Sequence, residues 1–132
     1  MKILYAILVT IIIVSIVFVL FQFKPQPQIN TKVEISFDKE LLDLDPSPLN
    51  IPVVGKFKLY NKSKNEIQIS EAVPDCHCTS IDYPKQAIPP NDSVEIKIVY
   101  DGKKMGPFQS SAVVKFKGSH IEDLLILRGA IK

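Results

Sequence analysis

The sequence is poor in the residues from which most catalytic and nucleic-acid-binding sites are built. Its 132 residues include five glycines, two histidines, two cysteines and a single arginine, Arg128. The glycines are scattered, so no glycine-rich phosphate-binding loop is present. A Ser-His-Asp arrangement could only draw on the polar loop around Ser119 and His120, which is typical of a solvated turn. We therefore predict that the protein is not an enzyme, with no catalytic and no cofactor-binding residues.

An excess of positive charge is also missing from the larger part of the chain. All 14 Asp and Glu residues lie after residue 24, and setting aside Lys2 and Lys24 leaves 14 of the 16 basic residues there. Residues 25–132 therefore carry no net charge. A domain that binds DNA or RNA has a surplus of Lys and Arg, so we predict no nucleic-acid partner.

One long segment near the N terminus has no charged residue at all. It runs for 21 residues from Ile3 to Phe23, and about 20 apolar residues are enough for a helix to span a bilayer. No small-residue cleavage site of the kind that ends a signal peptide follows it. We therefore interpret residues 1–24 as an uncleaved transmembrane anchor, which contacts the lipid bilayer through residues 3–23. Residues 25–31 form a Pro/Gln linker.

Apolar and polar residues alternate through most of the remaining chain, residues 32–132. The spacing of two is typical of strands with one buried face. Polar turns separate the runs, including Pro89 to Asp92, where Asn91 suits the third position of a type II turn. The pattern predicts an all-β, antiparallel sandwich of about seven strands, and only residues 39–45 could form a helical turn. The alternating runs are 32–38, 53–61, 66–70, 93–101 and 111–118, followed by a more apolar run over 123–132.

Several short motifs follow one another along this domain. They are Tyr60-Asn61, Cys76-His77-Cys78-Thr79, Ile88-Pro89-Pro90-Asn91, Tyr100-Asp101, Gly106-Pro107-Phe108 and Leu127-Arg128-Gly129. In this order they resemble the bacterial family known as domain of unknown function 1573, although His77 and Asn91 stand where the family usually has glycine. The resemblance implies an immunoglobulin-like sandwich in an exported or membrane-anchored protein, and the family carries no settled activity.

The location follows from the anchor together with this resemblance. One N-terminal apolar segment followed by one small domain is the usual layout of a tethered extracytoplasmic protein. We therefore expect a single-pass protein of the bacterial inner (cytoplasmic) membrane, with its C-terminal domain facing the periplasm or the cell exterior. The flanking lysines are nearly balanced in number and do not fix this orientation.

Cys76-His77-Cys78 is the one stretch with distinctive side-chain chemistry, and three interpretations are open. On an extended strand the two cysteine Cα atoms lie about 6.5–7 Å apart, so a disulfide would need a bent backbone and would be easily reduced. Two thiolates suit Cu(I), but a closed zinc site needs four ligands. The favoured interpretation is structural, because free cysteine packs like a small apolar residue. Cys76, Cys78 and His77 remain the candidate metal ligands, and Cu(I) the candidate cofactor.

The sequence thus predicts a membrane-tethered extracytoplasmic module with a structural or protein-interaction role in the bacterial cell envelope. Its partner would be an envelope protein, bound through a sheet edge or through the loops at one end. The alternative is a thiol-redox or Cu(I)-handling protein that uses Cys76-His77-Cys78.

Overall fold

The computed structural model describes residues 1–22 and 32–132, so the predicted linker over residues 25–31 lies outside the described residues. Helix α1 spans Lys2–Gln22. Within the described ranges, no helix combines the length and the apolar character that crossing a membrane requires. The transmembrane helix predicted over residues 3–23 is therefore not confirmed.

Within residues 32–132, eight strands form two four-stranded sheets that pack face to face. Sheet A has the strand order β1-β3-β6-β5, and sheet B has the order β2-β8-β7-β4. The predicted all-β sandwich is confirmed, with one strand more than expected. The strands are β1 (Ile35–Phe37), β2 (Leu41–Asp43), β3 (Val53–Asn61), β4 (Ile69–Pro74), β5 (Thr79–Asp82), β6 (Ser93–Tyr100), β7 (Gly106–Phe116) and β8 (Glu122–Ile131).

The predicted alternation decides which face of each long strand is buried. Along β3, Phe57 and Leu59 have no exposed surface, whereas the residues that precede each of them, Lys56 and Lys58, face solvent. Side chains alternate between the two faces of a strand, so one face of each sheet supplies the core. The inner face of β3 also carries Gly55, where an added Cβ would lie 2.5 Å from a Leu127 methyl group of the opposite sheet. The same alternation holds for Ile96 and Ile98 on β6, Ala112, Val114 and Phe116 on β7, and Leu125 and Leu127 on β8.

Two short strands escape the sequence analysis. Strand β2 lies in the segment predicted as a possible helical turn, and it pairs parallel with β8, so the wholly antiparallel prediction is wrong at this point. Three residues are too few to show a period of two, and β2 is defined by its bonds to β8 instead. The second missed strand, β5, pairs antiparallel with β6.

Strand β4 starts and ends later than predicted. The sequence pattern predicts a strand over residues 66–70. In the structure the pairing with β7 covers Ile69 to Pro74, with a register shift between Ile69 and Glu71. Ile67 instead forms an isolated bridge with Ile88. The alternation in the sequence ends at Ser70-Glu71, where the register shifts, so the pattern did not indicate the part of β4 that follows.

Asn61 holds the turns at one end of the sandwich together. Its side chain is completely buried, and its amide group donates hydrogen bonds to the carbonyl oxygens of Asn65 (2.9 Å), Ile88 (2.9 Å) and Pro89 (3.1 Å). Its carbonyl oxygen accepts a 2.8 Å hydrogen bond from the N–H of Ser63. One side chain therefore bonds to four backbone groups in the loops, and two of them, the carbonyl oxygens of Ile88 and Pro89, also accept bonds from the N–H groups of Ile67 and Asp92.

The Pro89 to Asp92 turn takes the conformation predicted for it. Asn91 has a φ of 62°, and the N–H of Asp92 donates to the carbonyl oxygen of Pro89 at 3.2 Å. Asparagine tolerates this left-handed backbone better than most residues. The departure from glycine at this family position therefore preserves the turn.

We expect Asn61→Ala to lower the free energy of unfolding by about 3 kcal/mol, because the buried N–H of Ser63 would lose its hydrogen-bond partner and three carbonyl groups would each lose a hydrogen bond. Urea denaturation followed by circular dichroism measures the change. Asn65→Ala is the matched control, since Asn65 is exposed, and it should change the stability by less than about 0.5 kcal/mol. Equal effects of the two substitutions would contradict the role given to Asn61.

Asp123 is the one carboxylate whose buried oxygen lacks a partner among the described residues. Its Oδ2 atom is inaccessible and accepts no hydrogen bond. Burial, with a smaller contribution from the nearby charge of Glu40, raises the pKa of Asp123 above the ordinary range. Both effects act on the ionised form, which is harder to accommodate than the neutral acid.

This raised pKa predicts a specific pH dependence of stability. The folded protein binds the Asp123 proton more tightly than the unfolded chain does. The contribution of Asp123 to the free energy of unfolding is therefore complete at pH values below the ordinary pKa range of Asp, and it is lost as pH rises through the pKa of the folded state. Urea midpoints measured over a range of pH check this dependence. The decline in midpoint with rising pH should be smaller in Asp123→Asn than in the unmodified protein. Asp45→Asn, at an exposed loop position, should retain it. A decline of unchanged size in Asp123→Asn would show that another group is responsible.

Candidate functional site

Cys76 and Cys78 form a disulfide in the connection between β4 and β5. This connection carries the chain from the edge of sheet B to the edge of sheet A. The expectation of an extended strand is wrong here, because residues 75–78 form a bend and a turn. The Cα atoms are 5.3 Å apart rather than the 6.5–7 Å of a regular strand. Both cysteines are half-buried, so they are not the buried free thiols of the favoured structural interpretation.

Backbone hydrogen bonds fix the turn to both sheets. The N–H of Thr79 donates to the carbonyl oxygen of Cys76 at 3.2 Å, and the N–H of Asp101 donates to that of Cys78 at 3.0 Å. On the sheet B side, the Asp75 carboxylate accepts bonds from the N–H (3.0 Å) and the hydroxyl (2.9 Å) of Ser111. The N–H of Asp75 donates in return to the Ser111 carbonyl oxygen at 3.1 Å.

Two buried hydroxyl groups lie directly beneath the disulfide. Thr79 Oγ1 lies 3.3 Å from Cys76 Sγ and 3.8 Å from Cys78 Sγ. The same oxygen makes a short hydrogen bond with Ser110 Oγ on the opposite sheet. Ser110 has no exposed surface and Thr79 is also buried. A polar contact between the sheets thus supports the sulfur atoms from inside.

Aromatic packing supports the same end of the sandwich. Tyr100, which pairs with Thr79 across β5 and β6, stacks on Phe108 with ring centroids 4.2 Å apart. Gly129 leaves room for Phe108, because a Cβ there would lie 2.8 Å from the ring. Several of the motifs that are separated in sequence therefore meet around the disulfide turn.

The structure places the three candidate metal ligands together in this turn. His77 is exposed, and it is not among the non-glycine residues with positive φ, which in the described ranges are Asn50 and Asn91. Histidine therefore fits this position without the glycine that the family usually has. No group of three or more His, Cys, Asp or Glu side chains suited to a metal occurs among the described residues. Cu(I) binding would also require the disulfide to be reduced first, and it stays a prediction.

The small size of the disulfide ring limits what the bond contributes to stability. The cysteines are two positions apart. Chain entropy assigns about 1.6 kcal/mol to a loop of three residues, compared with about 3 kcal/mol for a loop of 15. Reversible exchange with other thiols is the chemistry open to a bond of this kind that solvent can reach.

A second candidate surface lies on the outer face of sheet B. Val73, Val113 and Leu124 form one cross-strand row, and Ile126 and Leu41 lie opposite each other in the next row. We call these five residues the outer-face patch. Leu41 is 41% exposed and Leu124 is 49% exposed. A contiguous exposed apolar area of this kind is unusual on the outer face of a sheet, where the outward-facing residues are generally polar.

Charged pairs border the outer-face patch on two sides. On one side Lys115 lies 3.4 Å from Glu71 and 3.9 Å from Glu122. On the other side Arg128 binds Asp43 through two nitrogen–oxygen contacts of 2.9 and 3.3 Å. The outer face of sheet A differs, since it is lined by ion pairs that join Lys56 and Lys97 to Glu95 and Asp82.

Sequence reasoning found the cysteines but missed the residues that support them. Thr79 and Ser110 are 31 positions apart, and Asp75 and Ser111 are 36 positions apart. Both serines lie in β7, where a run of polar residues, Gln109 to Ser111, interrupts the apolar alternation. That interruption is the one signal in the sequence that could have indicated a buried polar contact.

Solved structures with similar folds come from proteins of different kinds. A protein of unknown function from Porphyromonas gingivalis W83 is 9% identical, with a TM-score of 0.64, over 82% of this chain and 50% of its own. A PapD-like domain of human CEP192 is 15% identical, with a TM-score of 0.59, over 83% of this chain and 92% of its own. The VesB protease of Vibrio cholerae is 15% identical, with a TM-score of 0.58, over 76% of this chain but only 32% of its own. At these identities the likeness shows the immunoglobulin-like fold alone.

Sequence comparison gives the family. No curated protein matches the chain. The profile of the family described as "Protein of unknown function (DUF1573)" matches residues 35–131, which cover all eight strands. The resemblance found in the short motifs is thereby confirmed at the level of the family. The chain belongs to DUF1573, a family of proteins of unknown function.

Proposed function

We propose that the protein is a protein-interaction module of the bacterial cell envelope, and that its partner binds the outer-face patch. The observation that carries this proposal is the contrast between the two outer faces: a network of ion pairs lies on sheet A, whereas sheet B has an apolar patch with a charged border. An apolar centre surrounded by polar residues is the usual anatomy of a protein–protein interface. The partner would therefore present an apolar surface of its own.

The sheet edges are less suited to binding than the sequence suggested. Edge strands β1 and β2 have three residues each, and β5 has four. The longer edge strand β4 has an irregular register and ends at Pro74. Short strands, irregular pairing and proline are the features by which natural sheets avoid adding further strands. These features favour the sheet face over the edge as the binding surface.

Attachment to the membrane is the second part of the proposal, and it rests on the N-terminal sequence. Residues 3–23 contain no charge, and the side chains of Ile3, Leu4 and Tyr5 on α1 are each at least 75% exposed. Exposed apolar side chains in this number need apolar surroundings. We propose that α1 attaches the chain to the bacterial cytoplasmic membrane, with the sandwich in the periplasm or outside the cell.

Photo-crosslinking in bacterial cells tests both parts. A photoreactive residue replaces Leu124 in the outer-face patch, or Val54 on sheet A as the control. These side chains are 49% and 46% exposed. After irradiation, membranes washed with alkaline carbonate should retain the chain, and only the Leu124 position should give a cross-linked partner. Leu124→Lys should abolish the complex, whereas Val54→Lys should preserve it.

Other outcomes of this experiment would contradict the proposal. Release of the chain by carbonate would rule out anchoring through α1. Equal cross-linking from both positions would remove the distinction between the two faces. A product made only of two copies of this chain would show that the outer-face patch binds a second copy of the chain and not a different envelope protein.

The disulfide favours a second candidate function, thiol–disulfide exchange. A half-buried disulfide that closes only a three-residue ring contributes little to folding, and exposed disulfides have higher reduction potentials than structural ones. Glutathione buffers of graded ratio, followed by alkylation and intact mass, measure the midpoint on the full chain. We expect a midpoint above about −300 mV, outside the range of structural disulfides. A lower midpoint would mark the bond as purely structural, and this second function would be withdrawn.

A further inference from the structure

We propose that Cys76 is the sulfur that exchanges with a dithiol of a partner protein. Cys78 is then the sulfur that leaves and later re-forms the internal disulfide. Thr79 is a positioning residue that stabilises the Cys76 thiolate. This inference rests on the thiol–disulfide function proposed above and assigns its residues.

The two sulfur atoms differ in what surrounds them. Thr79 Oγ1 is 3.3 Å from Cys76 Sγ and 3.8 Å from Cys78 Sγ, and a hydroxyl group has only one proton to donate. Cys78 packs against the hydrophobic core, and Cys76 is not among the half-buried residues that do so. Cys76 therefore has the shorter contact with the Thr79 hydroxyl, and it is also the cysteine that does not pack against the core.

The direction of the hydrogen bonds follows from counting protons. A sulfur atom in a disulfide has no proton, so in its contact with Thr79 the hydroxyl must be the donor. Thr79 has one hydroxyl proton, so it can donate to sulfur only if Ser110 is the donor in the hydrogen bond between the two hydroxyl groups. Both hydroxyl protons are then used, which buried polar groups generally achieve. The relay Ser110 to Thr79 to Cys76 ends on the sulfur that would carry the negative charge.

This relay acts on the reduced state more than on the oxidised state. A hydrogen bond to a charged acceptor is roughly twice as strong as one between neutral groups, and the buried position of both hydroxyls strengthens it further. Thr79 therefore stabilises the Cys76 thiolate more than it stabilises the disulfide. A stabilised thiolate is also the better leaving group in exchange.

The exchange starts from the disulfide seen in the structure. A thiolate of the partner's dithiol attacks Cys76 Sγ, the internal sulfur–sulfur bond breaks, and Cys78 leaves as a thiolate. The second partner thiolate then attacks the partner's own sulfur in the mixed disulfide, and Cys76 leaves as a thiolate that accepts the Thr79 hydrogen bond. The partner's dithiol is oxidised by two electrons to a disulfide. This chain is reduced by the same two electrons, and its thiolates take up the two protons released.

Single-cysteine variants of the full chain in detergent test the assignment. Cys78→Ala leaves Cys76 alone, and Cys76→Ala leaves Cys78 alone. The probe is 5,5′-dithiobis(2-nitrobenzoate), an aromatic disulfide whose released thiolate is followed by absorbance. At pH 7 we expect Cys76 to react about tenfold faster than Cys78, as a larger thiolate fraction and better access require.

The role of Thr79 is tested in the same two backgrounds. In Cys78→Ala, the further change Thr79→Val should slow the reaction of Cys76 several-fold and move its pH profile to higher pH, whereas Thr79→Ser should restore both. In Cys76→Ala, Thr79→Val should leave the Cys78 rate within about twofold, because that sulfur is the more distant acceptor. Circular dichroism establishes that each variant is folded. Should Thr79→Val disturb the fold, Thr79→Val with Ser110→Ala removes both buried hydroxyls together.

Failure of this assignment can be told apart from failure of thiol–disulfide exchange itself. If the disulfide equilibrates with glutathione above the structural range but Cys78 reacts as fast as Cys76, exchange stands and the assignment is wrong. Equal effects of Thr79→Val on the two cysteines would also overturn it. If the disulfide stays oxidised until the buffer is strongly reducing, exchange fails and the assignment fails with it.

Discussion

The crossing from sheet B to sheet A between Pro74 and Thr79 is the constraint on which the candidate site depends. Only four residues, 75–78, connect an edge strand of one sheet to an edge strand of the other. So short a connection must bend, and the bend brings the cysteine Cα atoms to 5.3 Å, within the range that a disulfide accepts. The Ser111 N–H donates to the Asp75 carboxylate at one end of the bend, and the Asp101 N–H donates to the Cys78 carbonyl oxygen at the other. The disulfide is therefore a consequence of the topology rather than of two cysteines lying along a strand.

Buried polar contacts organise both ends of the sandwich, and the family motifs collect around them. At one end the Asn61 side chain satisfies the backbone of the loops that follow β3 and precede β6. At the other end Thr79 and Ser110 join the sheets beneath the disulfide, next to the stacked rings of Tyr100 and Phe108. Motifs that are dispersed along the chain thus form two clusters in space. An apolar core alone would leave the N–H of Ser63 at the Asn61 end without its partner, which is costly because this group is buried.

How much could be predicted depended on whether a feature is local in sequence. The inner faces of β3 and β6 follow from alternation, because the period of two repeats over at least eight residues in each. Strand β2 could not be predicted, since three residues show no period and its pairing with β8 is set by tertiary contact. The cysteines were found, but their geometry was not, because the assumption of a regular strand ignored the change of sheet. The hydroxyl contact of Thr79 joins positions 31 residues apart, and no local pattern encodes such a distance.

The two candidate surfaces are neighbours, and this bears on how their functions can be separated. Val73 of the outer-face patch lies two residues before Asp75, whose carboxylate binds Ser111, and Ser111 pairs with Ile126 of the same patch. A partner seated on the patch would therefore lie beside the disulfide, as a partner that exchanges thiols must. Substitutions at Asp75 or Ser111 would disturb both surfaces at once. Leu124 belongs only to the patch and Thr79 only to the disulfide, so these two positions can distinguish docking from chemistry.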